Sequence, residues 1–223
     1  MNEKQQIAQP TRQQLRIQIR QRRQLLSPQE QNSAATSLTN RLIRYNKVIN
    51  ANNIALYLAH DGELDTVLFI QWCWQQNKNI FLPVIHPFSQ GQLLFLKYTK
   101  NTIMITNQYG IKEPKLDIRQ LGLLSELDLL FTPLVAFDLS GNRLGMGGGF
   151  YDRTLAAWFK STSSNKFYSQ TSQLKLAPLN YTKLSPIGLA HDCQQVNNIA
   201  SELWDIPLPE IITPTKAFKF TTV

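Results

Sequence analysis

Gly141-Asn142-Arg143-Leu144-Gly145-Met146-Gly147-Gly148-Gly149-Phe150-Tyr151-Asp152-Arg153 joins an apolar run, Leu127 to Phe131, to an amphipathic segment, Phe150 to Lys160. Five of the ten glycines of the chain fall between Gly141 and Gly149. Glycine lacks Cβ, so such a loop takes positive φ and lets a ligand approach the backbone. At a helix start it also presents several N–H groups to one anion. Arg143 adds a planar fork of donors suited to phosphate. Asp152, in the first helical turn, adds a carboxylate suited to Mg²⁺. Strand, glycine loop and helix in this order predict a nucleotide-phosphate site beyond the carboxyl end of a sheet strand. The widespread phosphate motifs do not describe it. No Lys follows the glycines, as a Walker A loop needs, and Phe150 stands where G-x-G-x-x-G needs its last glycine. A plain surface turn would not require Arg143, Asp152 and Arg153 around it.

Outward from the loop, the pattern is strands separated by helices. Ile54 to Leu58, Asn79 to Val84, Leu93 to Tyr98, Leu127 to Leu134, Ile187 to Ala190 and Ile211 to Thr213 read as strands. Thr11 caps a helix running to about Leu26, and Ser27-Pro28-Gln29-Glu30 is a capping box opening a second one to about Tyr45. Asp65 to Gln76 reads as a third helix. Asn101 to Leu116 is less periodic. These elements predict a three-layer α/β sandwich with a mainly parallel central sheet. Residues 1–223 read as a single domain. Residues 1–10 form a Gln-rich flexible tail, and the Ser/Thr/Asn/Gln-rich residues 161–185 look like an inserted loop.

The chain has 223 residues, 43% of them hydrophobic, and a formal net charge of +8. Residues 1–47 hold nine basic and two acidic residues, so the positive charge belongs to the N-terminal helices. A local basic patch predicts a local anionic partner. Arg12, Arg16, Arg20 and Arg23 share one helix face. Leu15, Ile19, Arg22 and Leu26 are expected to give a mostly apolar face opposite it. No apolar run reaches the roughly 18 residues that cross a bilayer. The N-terminus lacks a secretory signal's apolar region. Cys73 and Cys193 suggest neither a disulfide framework nor a zinc site. His60, His86 and His191 lack metal-ligand spacing. A cytoplasmic monomer with no membrane partner is expected.

The segment Arg143 to Arg153, with Leu134-Val135-Ala136-Phe137-Asp138 before it, closely resembles the signature of the 5-formyltetrahydrofolate cyclo-ligase family. Weaker matches follow in the right order. Arg12-Gln13-Gln14-Leu15-Arg16 resembles the N-terminal basic motif, and Leu56-Tyr57-Leu58 with Gly62-Glu63-Leu64-Asp65-Thr66 resembles the folate-side segment. Phe81-Leu82-Pro83-Val84, Ile111-Lys112-Glu113-Pro114, Gly188-Leu189-Ala190 and Trp204-Asp205-Ile206-Pro207-Leu208 are similar as well. The resemblance implies a fold of the sugar-phosphate isomerase and CoA transferase type. It implies ATP-dependent, Mg²⁺-dependent cyclisation of 5-formyltetrahydrofolate to 5,10-methenyltetrahydrofolate, with release of ADP and phosphate.

Carried over residue by residue, the resemblance puts ATP at Arg12, Gln13, Gln14, Leu15 and Arg16, and at Arg143, Leu144, Gly145, Met146, Gly147, Gly148, Gly149, Phe150 and Tyr151. It puts the folate at Leu58, Glu63, Met146, Gly147, Gly148, Gly149 and Phe150, and the metal at Asp152 and Asp205. Arg143, Asp152 and Tyr151 are the implied catalytic residues. Many family members carry Lys where this chain has Gly148, which leaves Arg143, Arg153 or nearby N–H groups to take that place. A nucleic-acid binder is disfavoured because the arginine stripe lacks interleaved aromatics. An isomerase or transferase on the same fold would not need the Arg143–Asp152 signature, and a non-catalytic folate binder would keep Glu63 without requiring Asp152.

Overall fold

The computed structural model describes residues 10–162 and 183–220. The expected tail, apart from Pro10, and most of the expected insertion lie outside the described residues. The ends of that insertion belong to regular structure: Thr162 closes a helix, Leu184 is buried and Ser185 opens a strand.

The elements in chain order are α1 (Arg12–Gln24), α2 (Pro28–Leu42), α3 (Asn46–Asn50), β1 (Asn53–Ala55), α4 (Val67–Gln75), β2 (Asn79–Ile85) and β3 (Leu93–Tyr98). There follow β4 (Met104–Thr106), β5 (Lys112–Pro114), β6 (Leu121–Gly122), β7 (Leu129–Pro133), β8 (Ala136–Phe137), β9 (Arg143–Leu144) and α5 (Phe150–Thr162). The last are β10 (Ser185–Leu189), β11 (Glu210–Ile212) and β12 (Ala217–Lys219).

Eight strands form one sheet in the order β12-β11-β10-β7-β1-β2-β3-β6. From β11 to β2 the strands are parallel, with Leu129 of β7 opposite Ile54 on one side and Ser185 on the other. At one end β12 pairs antiparallel with β11; at the other β3 pairs antiparallel with β2, and β6 antiparallel with β3. Side chains alternate across the sheet with the strand period of two. Ile54, Leu129, Phe131 and Ile187 pack on one face with Leu38 and Leu42 of α2, Val48 of α3, and Phe69, Ile70 and Cys73 of α4. Ala55 and Leu130 pack on the other face with Leu155 and Trp158 of α5. This is the three-layer α/β sandwich expected.

The expected cap at Thr11 and the expected capping box at Ser27 both form, and Gln14 makes the first a capping box as well. Thr11 and Gln14 cap α1, and Ser27 and Glu30 cap α2. α2 ends at Leu42 rather than near Tyr45, because Tyr45 is extended and starts α3. The stretch from Asn101 to Leu116, without periodicity, contains the small hairpin β4–β5. A second hairpin, β8–β9, lies between β7 and the glycine loop. Its turn is held by Asp138, which accepts from Ser140 N at 2.9 Å, Asn142 N at 3.1 Å and Ile199 N at 3.0 Å.

The two faces assigned to α1 need correction. At about 100° per residue, the stripe of Arg12, Arg16, Arg20 and Arg23 lies beside that of Leu15 and Ile19, not opposite it. Leu15, Ile19 and Arg23 are the buried residues of α1, whereas Arg22 is exposed. Leu15 and Ile19 pack on Val135, Ala136, Leu144 and Ile199, which seats α1 directly over the hairpin before the glycine loop.

Candidate functional site

Two of the glycines meet a backbone demand. Gly147 has φ +104° and Gly149 φ +65°, values that L side chains adopt only at a cost. A Cβ on Gly149 would also lie 2.7 Å from Nη1 of Arg153. Arg153 is fixed across the loop: its Nε donates to the Gly91 carbonyl at 2.9 Å and its Nη2 to the Gly148 carbonyl. Arg153 therefore stands next to the position where many family members carry Lys. α5 starts immediately after the loop, and the first turn of a helix has N–H groups without intrahelical partners.

One cavity, of about 480 Å³, opens between the loop, the start of α1, α5 and residues 203–206. Arg12 and Arg16 of α1 line it with Arg153, Gly147 and Asp152. Arg16 donates through Nε to the Gly145 carbonyl at 2.8 Å, and among the described residues no carboxylate forms an ion pair with it. Burial, followed by the charge of Arg12, lowers the Arg16 pKa. Cations held together in a partly dry cavity form a site for an anion. Of the run Arg12 to Arg16, only the two arginines line the cavity. Gln14 is engaged in the helix cap and Leu15 is in the core.

A second cavity, of about 460 Å³, is mainly apolar. Leu58, Pro83, Leu93, Tyr109, Met146 and Phe150 line it, with Glu63, Tyr57 and Tyr151 among its polar groups. The turn carrying Glu63 is fixed by Tyr57, whose hydroxyl donates to Leu64 O at 3.0 Å while its carbonyl accepts from Thr66 Oγ1 at 2.6 Å. Glu63 itself accepts from His60 N at 3.1 Å. It remains partly open to the cavity, yet the surrounding protein excludes enough water to raise its carboxyl pKa to about 7. Burial, and then the Glu63 charge, raise the Tyr151 phenol pKa, so it stays protonated and able to donate.

The cavities share a wall made of Gly145, Gly149 and Asp152. Oδ1 of Asp152 accepts from Arg143 Nη2 and, at 3.2 Å, from Ile206 N; Oδ2 takes neither bond. The Arg143 side chain is almost wholly buried and its Nε has no hydrogen-bond partner among the described residues. Burial lowers its pKa against the opposing charges of Asp152 and Asp205. It lines the apolar cavity rather than the cationic one, so it reaches the shared wall from the side opposite to that expected. Asp205, expected as a second metal ligand, has both oxygens on Arg12. Burial works against its charge, but these bonds hold its carboxyl pKa below the usual range.

The loop residues divide between the cavities. Met146, Gly148, Phe150 and Tyr151 face the apolar one, whereas Gly147, expected at both ligands, lines only the cationic one. Leu144 is wholly buried in the core under α1. Reading from sequence missed the contribution of β4–β5. Asn107, Tyr109, Ile111 and Glu113 wall the apolar cavity, and Glu113 is held by Asn107 Nδ2 at 2.9 Å. The available signal was the match at Ile111 to Pro114. The hydrophobic residues Phe159, Leu203 and Trp204, on the cationic cavity, were also missed.

Residues 8–214 match the model of the 5-formyltetrahydrofolate cyclo-ligase family. The 5-formyltetrahydrofolate cyclo-ligase of Escherichia coli K12 is 45% identical over 202 residues, 91% of this chain and 100% of that protein. The enzyme of the same name from Haemophilus influenzae is 48% identical over 201 residues, 90% of this chain and 96% of the relative. The solution structure of the 5,10-methenyltetrahydrofolate synthetase of Aquifex aeolicus superposes with a TM-score of 0.72, covering 95% of this chain and 94% of that one at 21% identity. That likeness concerns the fold. No described helix is long and apolar enough to cross a membrane. Matched to the family over nearly its whole length, and to two of its enzymes at 45% and 48% identity, the chain belongs to the 5-formyltetrahydrofolate cyclo-ligase family.

Proposed function

We propose that the protein binds 5-formyltetrahydrofolate in the apolar cavity and ATP in the cationic one, and joins their chemistry at the wall between them. The observation that carries this reading is that, among the described residues, the two cavities share Gly145, Gly149 and Asp152. The formyl oxygen attacks the γ-phosphorus, and ADP leaves. N10 then attacks the activated formyl carbon and loses its proton, the carbon–oxygen bond breaks, and phosphate departs with the former formyl oxygen. The product is the cationic 5,10-methenyl ring. Such phosphoryl transfer depends on alignment and charge neutralisation more than on covalent help from the protein.

Arg16, Arg153 and the N–H groups of the loop hold the phosphates. Arg153 takes the place left without a lysine at Gly148. Glu63, as a carboxylate, accepts from neighbouring N–H groups of the aminopyrimidine edge. Tyr151 donates towards the folate, and Phe150 and Met146 pack on it. Arg143 holds Asp152 in place from the apolar side.

The residues fit a bound Mg²⁺, an ion held by one or two carboxylates together with phosphates and water. Oδ2 of Asp152 is the oxygen open to it, and Asp205 becomes a ligand only on release from Arg12. When bound, the ion neutralises phosphate charge. The test is to mix the protein with 5-formyltetrahydrofolate and Mg-ATP, follow the methenyl product by absorbance, and measure ADP. One ADP per product is expected, with none formed after chelation. Product formation without ATP would sink the proposal.

A further inference from the structure

We propose that Trp204, with Phe159 lining the same cavity, is the purine-stacking end of the cationic cavity and that its indole holds the adenine of the nucleotide. This rests on the reading of that cavity as the ATP site. The cavity is chemically divided along α5. Asp152 and Arg153 lie at the helix start with Arg12, Arg16 and Gly147. Phe159 lines the same cavity two turns further, about 10 Å along the helix axis. Ala156, on the same face one turn earlier, leaves room between them. The opposite bank carries Leu203 and Trp204, which are 91% and 67% exposed. A nucleotide with its phosphates on the glycine loop therefore extends its base towards Phe159, Leu203 and Trp204, with Lys160 the one cation among the lining residues of that end.

The indole is exposed but its mount is rigid. Asp205 N donates to Glu202 O at 3.0 Å, and Glu202 N to Asp205 Oδ2 at 2.8 Å. Both oxygens of Asp205 are held by Arg12, and Ile206 N donates to Asp152 at 3.2 Å. The backbone around Trp204 is thus tied to residues of the phosphate end. A large aromatic held in water on a fixed support beside an anion cavity has one evident use: its face stacks on a planar ring. Stacking tolerates any base, so it supplies affinity rather than discrimination.

The test compares binding of ADP and of inorganic pyrophosphate, each with Mg²⁺, to wild type, Trp204→Ala and Trp204→Phe by titration calorimetry. Trp204→Ala is expected to weaken ADP roughly tenfold, the size of one lost base stack. Trp204→Phe is expected to recover most of that loss, and pyrophosphate to bind all three proteins alike. ADP is also expected to change tryptophan emission in wild type but not in Trp204→Phe, whose remaining indoles are Trp72, Trp74 and Trp158. Unchanged ADP affinity in Trp204→Ala would overturn the assignment. Equal weakening of ADP and pyrophosphate would overturn it too, because Trp204 would then act by disturbing Asp205 and Arg12. Wild type that binds pyrophosphate but no ADP would instead refute the nucleotide reading itself.

Discussion

Arg23 is sealed from solvent and donates one guanidinium nitrogen to both the backbone carbonyl and the carboxylate of Asp61, at 2.9 and 3.0 Å. Asp61 sits at φ +51° and Gly62 at φ +73°, so the turn entering Glu63 is held in a conformation that needs support. Arg20 and Gln24 reach the same carboxylate at 2.6 and 2.8 Å. Arg23→Met is expected to cost about 3 kcal/mol in denaturant unfolding, the scale for removing one partner of a buried pair. In the variant that still folds, KM for 5-formyltetrahydrofolate should rise several-fold while KM for ATP holds. Parallel changes in both constants would mean that Arg23 does not act through the Glu63 turn.

Glu63 sets a pH dependence. Its carboxyl pKa is raised by burial from an ordinary 4.5 to about 7, so between these values the folded protein holds its proton more tightly than the unfolded chain. Its contribution to stability therefore declines as pH rises across that window and is level above it. On the proposed role of Glu63, folate recognition is expected to run the other way, because the ionised form would accept the N–H groups. kcat/KM for the folate should fall as pH drops below about 7. Glu63→Gln should show weak, nearly pH-independent folate binding and unchanged ATP binding. A wild-type profile retained in Glu63→Gln would remove Glu63 from the pocket.

Asp152→Asn keeps an oxygen for Arg143 and Ile206 but discards the charge. It should lower turnover at least a hundredfold while costing about 1–3 kcal/mol in stability, the range for a weakened buried hydrogen bond. Asp152→Ala leaves Arg143 buried without its carboxylate and should cost more, about 3–5 kcal/mol. Thermal melts beside single-turnover rates separate the effects. An Asp152→Asn protein with wild-type turnover would exclude the carboxylate from the chemistry.

Arg16→Ala should raise KM for ATP about tenfold, the loss of one charge-assisted phosphate contact. Arg22→Ala, on the exposed side of the same helix, should leave both substrates unaffected. Steady-state kinetics at two salt concentrations checks this. Equal losses in the two variants would point to a diffuse field rather than a seat for phosphate.

What could be read from sequence was local. The continuous apolar run through Leu129, Leu130 and Phe131, the cap at Thr11 and the capping box at Ser27 specify their elements within a few residues of chain. The glycine loop announced itself because Gly147 and Gly149 carry backbone angles that few other residues tolerate. The role of Arg23 was hidden, because its partner Asp61 is 38 residues away and a helix wheel assigns an arginine to water. Arg12 and Asp205 are 193 residues apart, so their pairing had no local trace. The short strands β4 and β5 offer few apolar positions, and only the closed cavity reveals why that hairpin exists.

α1 touches everything that a ligand would need. Arg12 ties it to the Asp205 segment, Arg16 to the glycine loop, and Arg20, Arg23 and Gln24 to the turn before Glu63. Lifting this single helix away from the hairpin beneath it would take Arg12 and Arg16 out of the cationic cavity and release the Asp61 turn at the apolar one. Either ligand alone, by favouring the seated helix, therefore slows amide exchange along all of α1 and prepays the ordering that the other ligand requires. If both proposed substrates favour the seated helix, they are expected to bind with positive cooperativity, which titration of each in the presence of the other measures.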